Sequence, residues 1–378
     1  LKILKKFFKI AGLSLLGAIV LILVVGFVFV TFSPQFGGTH SNEDKLRYSA
    51  SGHYDDGEFQ NLIPTSMDMG LSQMIKVVGE MLEGTENSRP DFEVPIQKVD
   101  SISLTKKTAH PKVIWFGHSA FLLQIDGLNI LLDPMLGEVC APHPWLGQPR
   151  YHSSLPIEVE KLPAIDAIII SHDHYDHLDY ESIKKLKDKT KAFFMPLGVG
   201  AHFRAWGIDE EKINEMNWWD TQNYQSLSIS FTPSRHFSGR GLNNRFSTMW
   251  GSWIVKSDSL NIYFSGDGGY GPHFKEIGEK FGPFDFAMVE CGQYNEQWRD
   301  IHLMPEETAQ AAVDLNAKVM MPIHWGAFTL ALHSWTDPIE RVSIAAQKLS
   351  MPLVAPVIGE QVYLDNLQNY HTKTWWVK

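Results

Sequence analysis

The segment Ala164–Asp179, AIDAIIISHDHYDHLD, decides the reading of this chain. Its first half is a short apolar run of the kind that forms a buried strand. Its second half packs His172, His174, Asp176 and His177 into six residues at the carboxy end of that strand, where the sites of α/β proteins tend to sit. Histidines two apart in extended backbone point to one side, so His172 and His174 can grip one ion together. Asp176 and His177 follow where the chain turns and can face a second ion.

These four side chains are too few, because a catalytic two-metal site needs roughly six or seven ligands. The rest should sit singly at other strand ends, beside small or turn-forming residues that let the backbone approach a metal. Three positions meet that description: His236 in TPSRHFSGR, Asp267 in YFSGDGGY and His324 in MPIHWGAF. A carboxylate such as Asp267 can bridge two cations and hold them about 3.5–4 Å apart, and a water between them would be acidified toward hydroxide. His40, His53, His110, His152, His202 and His371 carry no such context and are read as structural or solvated.

Working outward, VIWFGHSAFLLQIDGLNILLDP contains two apolar runs broken at Asp126–Gly127, a hairpin signal. Further strands are expected at Ala192–Met195, Ser226–Phe231, Gly251–Val255, Leu260–Phe264 and Val319–Pro322. Helices are expected at Tyr180–Lys189, Glu306–Leu315 behind Pro305, and Ile339–Leu349. Strands and helices alternate without a repeat, which indicates a layered α/β domain over residues 99–378. Residues 33–98, rich in Gly, Ser, Asn and Asp, read as a linker and amino-terminal arm with one short helix at Leu71–Met81.

The first 32 residues are a separate object. Lys2, Lys5, Lys6 and Lys9 precede a charge-free stretch from Ile10 to Phe32, long enough to cross a bilayer and longer than the apolar core of a cleaved signal peptide. The reading is a retained single-pass anchor in the cell membrane. Its lysines put the amino terminus in the cytoplasm and the domain on the extracytoplasmic side, the periplasm in a Gram-negative cell.

A net charge of −10 leaves nothing to neutralise a run of phosphates, which argues against nucleic acid as a partner. The two cysteines, Cys140 and Cys291, lie far apart and outside any CxxC pattern, so neither a disulfide framework nor a cysteine zinc ribbon holds the fold.

The HxHxDH segment, followed in order by His236, Asp267 and His324, resembles the metallo-β-lactamase superfamily, whose fold is a four-layer αββα sandwich with metals at one edge. Within it the chain looks most like the N-acylphosphatidylethanolamine-hydrolysing phospholipase D family. The matching features are GHSAFLL at Gly117–Leu123, LLDP at Leu131–Pro134, WGSW at Trp250–Trp253, SGDGGY at Ser265–Tyr270, FGPFD at Phe281–Asp285, PEE at Pro305–Glu307 and IHWGAF at Ile323–Phe328.

The resemblance implies that His172, His174 and His236 hold one zinc, that Asp176, His177 and His324 hold the other, and that Asp267 bridges. A bridging hydroxide would then attack the phosphorus of a phospholipid, releasing an N-acylethanolamine and leaving phosphatidic acid. Asp133 would orient a ligand or a loop, with a structural turn at Asp133–Pro134 as the alternative. His333 is the first candidate for protonating the leaving group, while His118 and His302 are candidates for the pocket wall. Trp145, Trp218 and Trp219 read as core residues, with a lipid-facing rim as the alternative.

Manganese, iron or cobalt would suit the same mixed histidine and carboxylate shell. The chemistry would also serve a small molecule such as a lactone, or another ester or amide. A non-catalytic, metal-stabilised envelope protein is the remaining alternative.

Overall fold

The computed structural model describes residues 2–66, 71–105 and 110–377. Helix α1 (Lys2–Phe32) carries apolar side chains on every face and buries none of them, so it has no polar side to turn to water. From Ile10 to Phe32 it reaches about 35 Å, against about 30 Å of bilayer hydrocarbon. It is long and apolar enough to cross a membrane.

The segment expected to be a linker and arm packs against the domain over much of its length. Helix α2 (Asn42–Ser49) opens on a capping box between Ser41 and Asp44. A small hairpin follows, β1 (Tyr54–Asp55) and β2 (Glu58–Phe59), and then α3 (Leu71–Glu83), on the stretch where a helix was expected, and α4 (Ser101–Thr105). Tyr48 and Phe59 are buried. The Trp206 indole donates to the Pro34 carbonyl at 2.7 Å, and the Phe59 N–H donates to the Phe246 carbonyl at 2.9 Å.

The domain begins with β3 (Lys112–Trp115), β4 (Phe121–Ile125), β5 (Leu128–Leu132) and β6 (Ile165–Ile169). These are followed by α5 (Tyr180–Leu186), β7 (Thr190–Pro196), α6 (Gly200–Ala205) and β8 (Ile213–Met216). Next come β9 (Thr221–Tyr224), β10 (Leu227–Thr232), β11 (Ser252–Lys256), β12 (Asn261–Phe264), α7 (His273–Phe281) and β13 (Phe286–Glu290). The chain closes with α8 (Pro305–Asp314), β14 (Met320–Ile323), α9 (Asp337–Lys348) and β15 (Gln361–Tyr363). One sheet has the order β15-β3-β4-β5-β6-β7-β8 and the other β14-β13-β12-β11-β10-β9. Asp126 and Gly127 both take positive φ, 51° and 73°, and close the expected two-residue hairpin between β4 and β5.

Period-two alternation explains the layering. Phe121 and Leu123 of β4 and Ala167 and Ile169 of β6 face a core shared with Phe231 and Trp253 of the second sheet. Their neighbours Leu122 and Ile168 join Phe193 in a separate cluster with Ile183 and Leu186 of α5 and Phe203 of α6. On the far side, Ile277, Ala309 and Ile339 bring α7, α8 and α9 onto the second sheet. The result is the expected four-layer αββα sandwich. Burying each large side chain stabilises it by roughly 1.5–3 kcal/mol relative to exposure.

Strand direction then places the site. Strands β5 to β8 run parallel, as do β12 to β14, and the antiparallel steps at β4 and β11 return β3 and β10 to the same sense as their sheets. The segments leaving β3, β5, β6, β10, β12, β13 and β14 carry His118, Asp133, His172, His236, Asp267, Gln293 and His324 in that order.

Candidate metal centre

Just beyond β6, the ring nitrogens His172 Nε2 and His174 Nδ1 lie 2.9 Å apart, and His236 Nε2 lies 3.3 Å from the same Nδ1. His236 donates from Nδ1 to the Ile301 carbonyl at 2.8 Å, which leaves a lone pair on its Nε2. Burial first, then the neighbouring rings, holds His172 and His236 well below the usual imidazole range, and His174 is pushed down to about 4. Three neutral imidazoles with nitrogens converging on one point form a group able to hold an ion.

A second group comprises Asp176, His177, His324 and His118. His177 donates from Nδ1 to Asp133 Oδ2 at 2.7 Å, which turns its Nε2 toward Asp267 Oδ1, 3.1 Å away. Asp267 spans the two groups. Its Oδ1 is also 3.1 Å from His324 Nδ1, while its Oδ2 lies 3.8 Å from His172 Nε2 and 3.9 Å from His236 Nε2. All seven residues expected as ligands therefore meet at one place.

The residues fit a cation. Among the described residues, the buried atoms His177 Nε2 and Asp267 Oδ1 have no hydrogen-bond partner, and leaving such a group unsatisfied costs about 1–3 kcal/mol. Burial pushes the Asp267 carboxyl up to about 6 against the pull of His177. Burial opposes charge on His177 too, yet Asp267, Asp176 and Asp133 hold it well above the usual range. Buried carboxylates here share one favoured imidazolium, an arrangement that positive charge would relieve.

Asp133 is fully buried and binds His177, the Ser171 N–H (2.7 Å) and the Ser171 hydroxyl (2.5 Å). It ties the end of β5 to Ser171 and His177, on either side of the His172–His174 pair. His118 sits beside the second group, with Nε2 2.9 Å from Asp176 Oδ2 and its ring 4.0 Å from that of His324. Several of these residues hold positive φ without being glycine: Asp133 at 37°, His118 at 57°, Gln293 at 62° and His324 at 70°. Such backbone is strained and persists where the surroundings over-determine it.

A cleft of about 380 Å³ opens onto the cluster. Phe237, Trp298, Ile301 and Leu330 give it apolar walls, and Arg245, Gln293 and His302 give it polar ones. His302 stacks on His324 at 5.5 Å, and its Nδ1 lies 2.9 Å from Oε1 of the fully buried Glu290. His333 is not among the lining residues. Gln293 accepts from the Leu330 N–H and donates to the Phe328 carbonyl, which fixes the loop after β14. His333 then lands on Tyr294, stacked at 4.4 Å, with Nδ1 2.9 Å from the Ser334 carbonyl oxygen. Of the two histidines, His302 lines this cleft and His333 does not.

Residues 128–325 match the beta-lactamase superfamily domain. The chain belongs to the metallo-β-lactamase superfamily. It is 38% identical over 331 residues to an uncharacterized protein of Mycobacterium tuberculosis, covering 86% of this chain and 87% of that one. It is 32% identical over 279 residues to N-acyl-phosphatidylethanolamine-hydrolyzing phospholipase D 1 of Caenorhabditis elegans, covering 69% and 77%. The structure of a possible metal-dependent hydrolase from Veillonella parvula shares the fold, with a TM-score of 0.54 at 15% identity over 68% of this chain and 100% of that one. Fold, cluster and relatives together make this superfamily member a metal-dependent hydrolase.

Asn61, Glu290 and Arg245 were not foreseen. Asn61 reaches from the arm to pair with both backbone groups of His236, donating at 2.8 Å and accepting at 3.1 Å. It is 175 residues away in sequence, and no local signal marks it.

Trp218 is buried and donates to the Trp250 carbonyl at 2.7 Å, and Trp219 stacks on Phe281. Trp145, by contrast, is exposed.

Proposed function

We propose that this protein is a phosphodiesterase of phospholipase D type, acting on N-acylphosphatidylethanolamine or a related phospholipid with two zinc ions at the described cluster. The observation that carries the two-ion reading is Asp267, whose two oxygens face different histidine groups. Kinship with a phospholipid-cleaving enzyme and the apolar cleft wall support the substrate class.

Two divalent cations would supply an activated water and charge to stabilise the phosphoryl oxygens. The chain's own residues do the rest. His172, His174 and His236 would hold one ion, Asp176, His177 and His324 the other, and Asp267 both. Asp133 fixes the tautomer of His177, and the Ile301 carbonyl fixes that of His236. Glu290 orients His302, which has a ring nitrogen within 4.8 Å of ligand atoms of His236 and Asp267. From there His302 can pass a proton to the leaving alkoxide. Arg245, lining the cleft beside Phe237, is suited to an anionic group of the lipid head.

Helix α1 would anchor the enzyme, with its lysines cytoplasmic and the domain on the other side of the membrane. Purified protein offered N-acylphosphatidylethanolamine, bis(p-nitrophenyl) phosphate and a small lactone tests the reaction. Release of N-acylethanolamine is expected; lactone hydrolysis without lipid turnover would overturn the phospholipase reading.

A further inference from the structure

The helix that can cross a membrane does not leave the domain on a free tether. In its last turns, the Phe29 ring lies 5.9 Å from Trp145 and 5.5 Å from Phe36. The residues after it are pinned: the Trp206 indole binds the Pro34 carbonyl, and Arg240 Nε donates to the Gln35 carbonyl at 2.9 Å. The face of the domain around the end of α1 is therefore held at the level where α1 would emerge from lipid.

Large apolar side chains turn outward beside the end of α1 and on the loop that Arg240 ties to Gln35. Trp145 is 68% exposed, Leu146 46% and Leu242 84%, and Phe32 at the end of α1 is 73% exposed. Exposed apolar side chains grouped on one face mark an interaction surface, and tryptophan favours the headgroup layer. The rest of the loop holding Leu242 is not loose. Arg240 donates to the carbonyls of Asp173 and Leu178 at 2.6 and 2.7 Å and stacks over Tyr175 at 4.1 Å. The loop's two ends, Phe237 and Arg245, line the metal cleft.

We propose that the face formed by Trp145, Leu146 and Leu242, continuous with the end of α1, rests in the headgroup layer of the bilayer. The loop of residues 237–246 then joins the lipid surface to the cleft, so a lipid drawn from the membrane meets that loop before the metal cluster. The proposal rests on the reading of α1 as a membrane anchor.

The test uses the full chain with Cys140 replaced by Ala, reconstituted into phosphatidylcholine and phosphatidylglycerol vesicles with brominated acyl chains. A bimane label is placed through Leu242→Cys or, as a control, through Asp258→Cys. Asp258 is exposed in the β11–β12 turn, at the opposite end of these strands from the cluster. Quenching several-fold stronger at 242 than at 258 is expected. Equal quenching in protein that floats with the vesicles would overturn the docking face and leave the anchor standing. Protein that does not float with the vesicles would overturn the anchor and the docking face together.

Neither outcome depends on catalysis. A second readout follows the lipid: Leu242→Asp with Trp145→Ala should lower turnover of vesicle-embedded N-acylphosphatidylethanolamine about tenfold, equivalent to about 1.4 kcal/mol. Hydrolysis of soluble bis(p-nitrophenyl) phosphate should stay within about twofold. Unchanged vesicle turnover would count against the proposal.

Discussion

Asp133, whose own backbone is held at a φ of 37°, accepts the Nδ1–H of His177 on Oδ2 at 2.7 Å. When the ring is neutral, as a metal ligand must be, this contact puts the proton on Nδ1 and the lone pair on Nε2, which faces the cluster. Asp133→Asn keeps the shape but permits the wrong ring tautomer. Metal affinity, read by competition with a chelator, should fall about 10–100-fold. An unchanged affinity would mean that Asp133 serves only the turn before Pro134.

Asp267 and His236 make a stricter test of the cluster. Asp267→Asn weakens the group facing both sets of histidines, and His236→Ala removes one corner of the first set. Each should bind fewer metal equivalents by elemental analysis. Each should also lose about 10³-fold in hydrolysis, since the ions supply several kcal/mol of charge stabilisation. Full activity in both variants would remove the two-ion reading.

His302 and His333 compete for one role, and their surroundings separate them. His302 is held by Glu290 and stacked on His324, whereas His333 is stacked on Tyr294. His302→Gln should lower kcat about 10²–10³-fold, in the range of a lost general acid. His333→Gln should lie within about threefold of the parent. The reverse result would restore His333. Because His302→Gln touches no residue of the α1 face, a loss there would not bear on membrane docking.

These contrasts show what was legible in the sequence. The β6 run and the SHDHYDHLD segment announced themselves because ligands sat next to each other at the end of an apolar strand. His236, Asp267 and His324 followed because glycine, serine or proline flank each of them. Strands β8 and β9 were missed: INEM and TQNY are half-exposed and polar, and they pair because their neighbours are already in place. Strand β13, FAMVE, is apolar at four of five positions, and such a short run does not separate strand from helix by periodicity. His333 is near His324 in sequence, but Gln293 fixes the path of the intervening loop, and that constraint comes from another strand end. Glu290 and Asn61 depend in the same way on contacts that no local pattern encodes.

Away from the cluster, His152 carries a prediction about acid. Arg150 Nη1 lies 3.2 Å from its Nε2, and a guanidinium can only donate, so Nε2 accepts and Nδ1 donates to the Ser154 carbonyl at 2.9 Å. Burial, with Arg150, pushes His152 down to about 4; burial, with Arg235, pushes His273 down to about 3. Both lie below the ordinary value of about 6.5 that they regain on unfolding. The unfolded chain therefore binds more protons as the pH falls. Their contribution to stability is complete above pH of about 6.5 and is lost progressively toward 4 for His152 and 3 for His273. Acid also releases metal, so the informative quantity is a difference between two proteins. His152→Gln can accept from Arg150 and donate to Ser154 without titrating. Its Tm, measured from pH 8 to pH 4, should fall less steeply than the parent's below about 6.5. Parallel curves would place the acid sensitivity elsewhere.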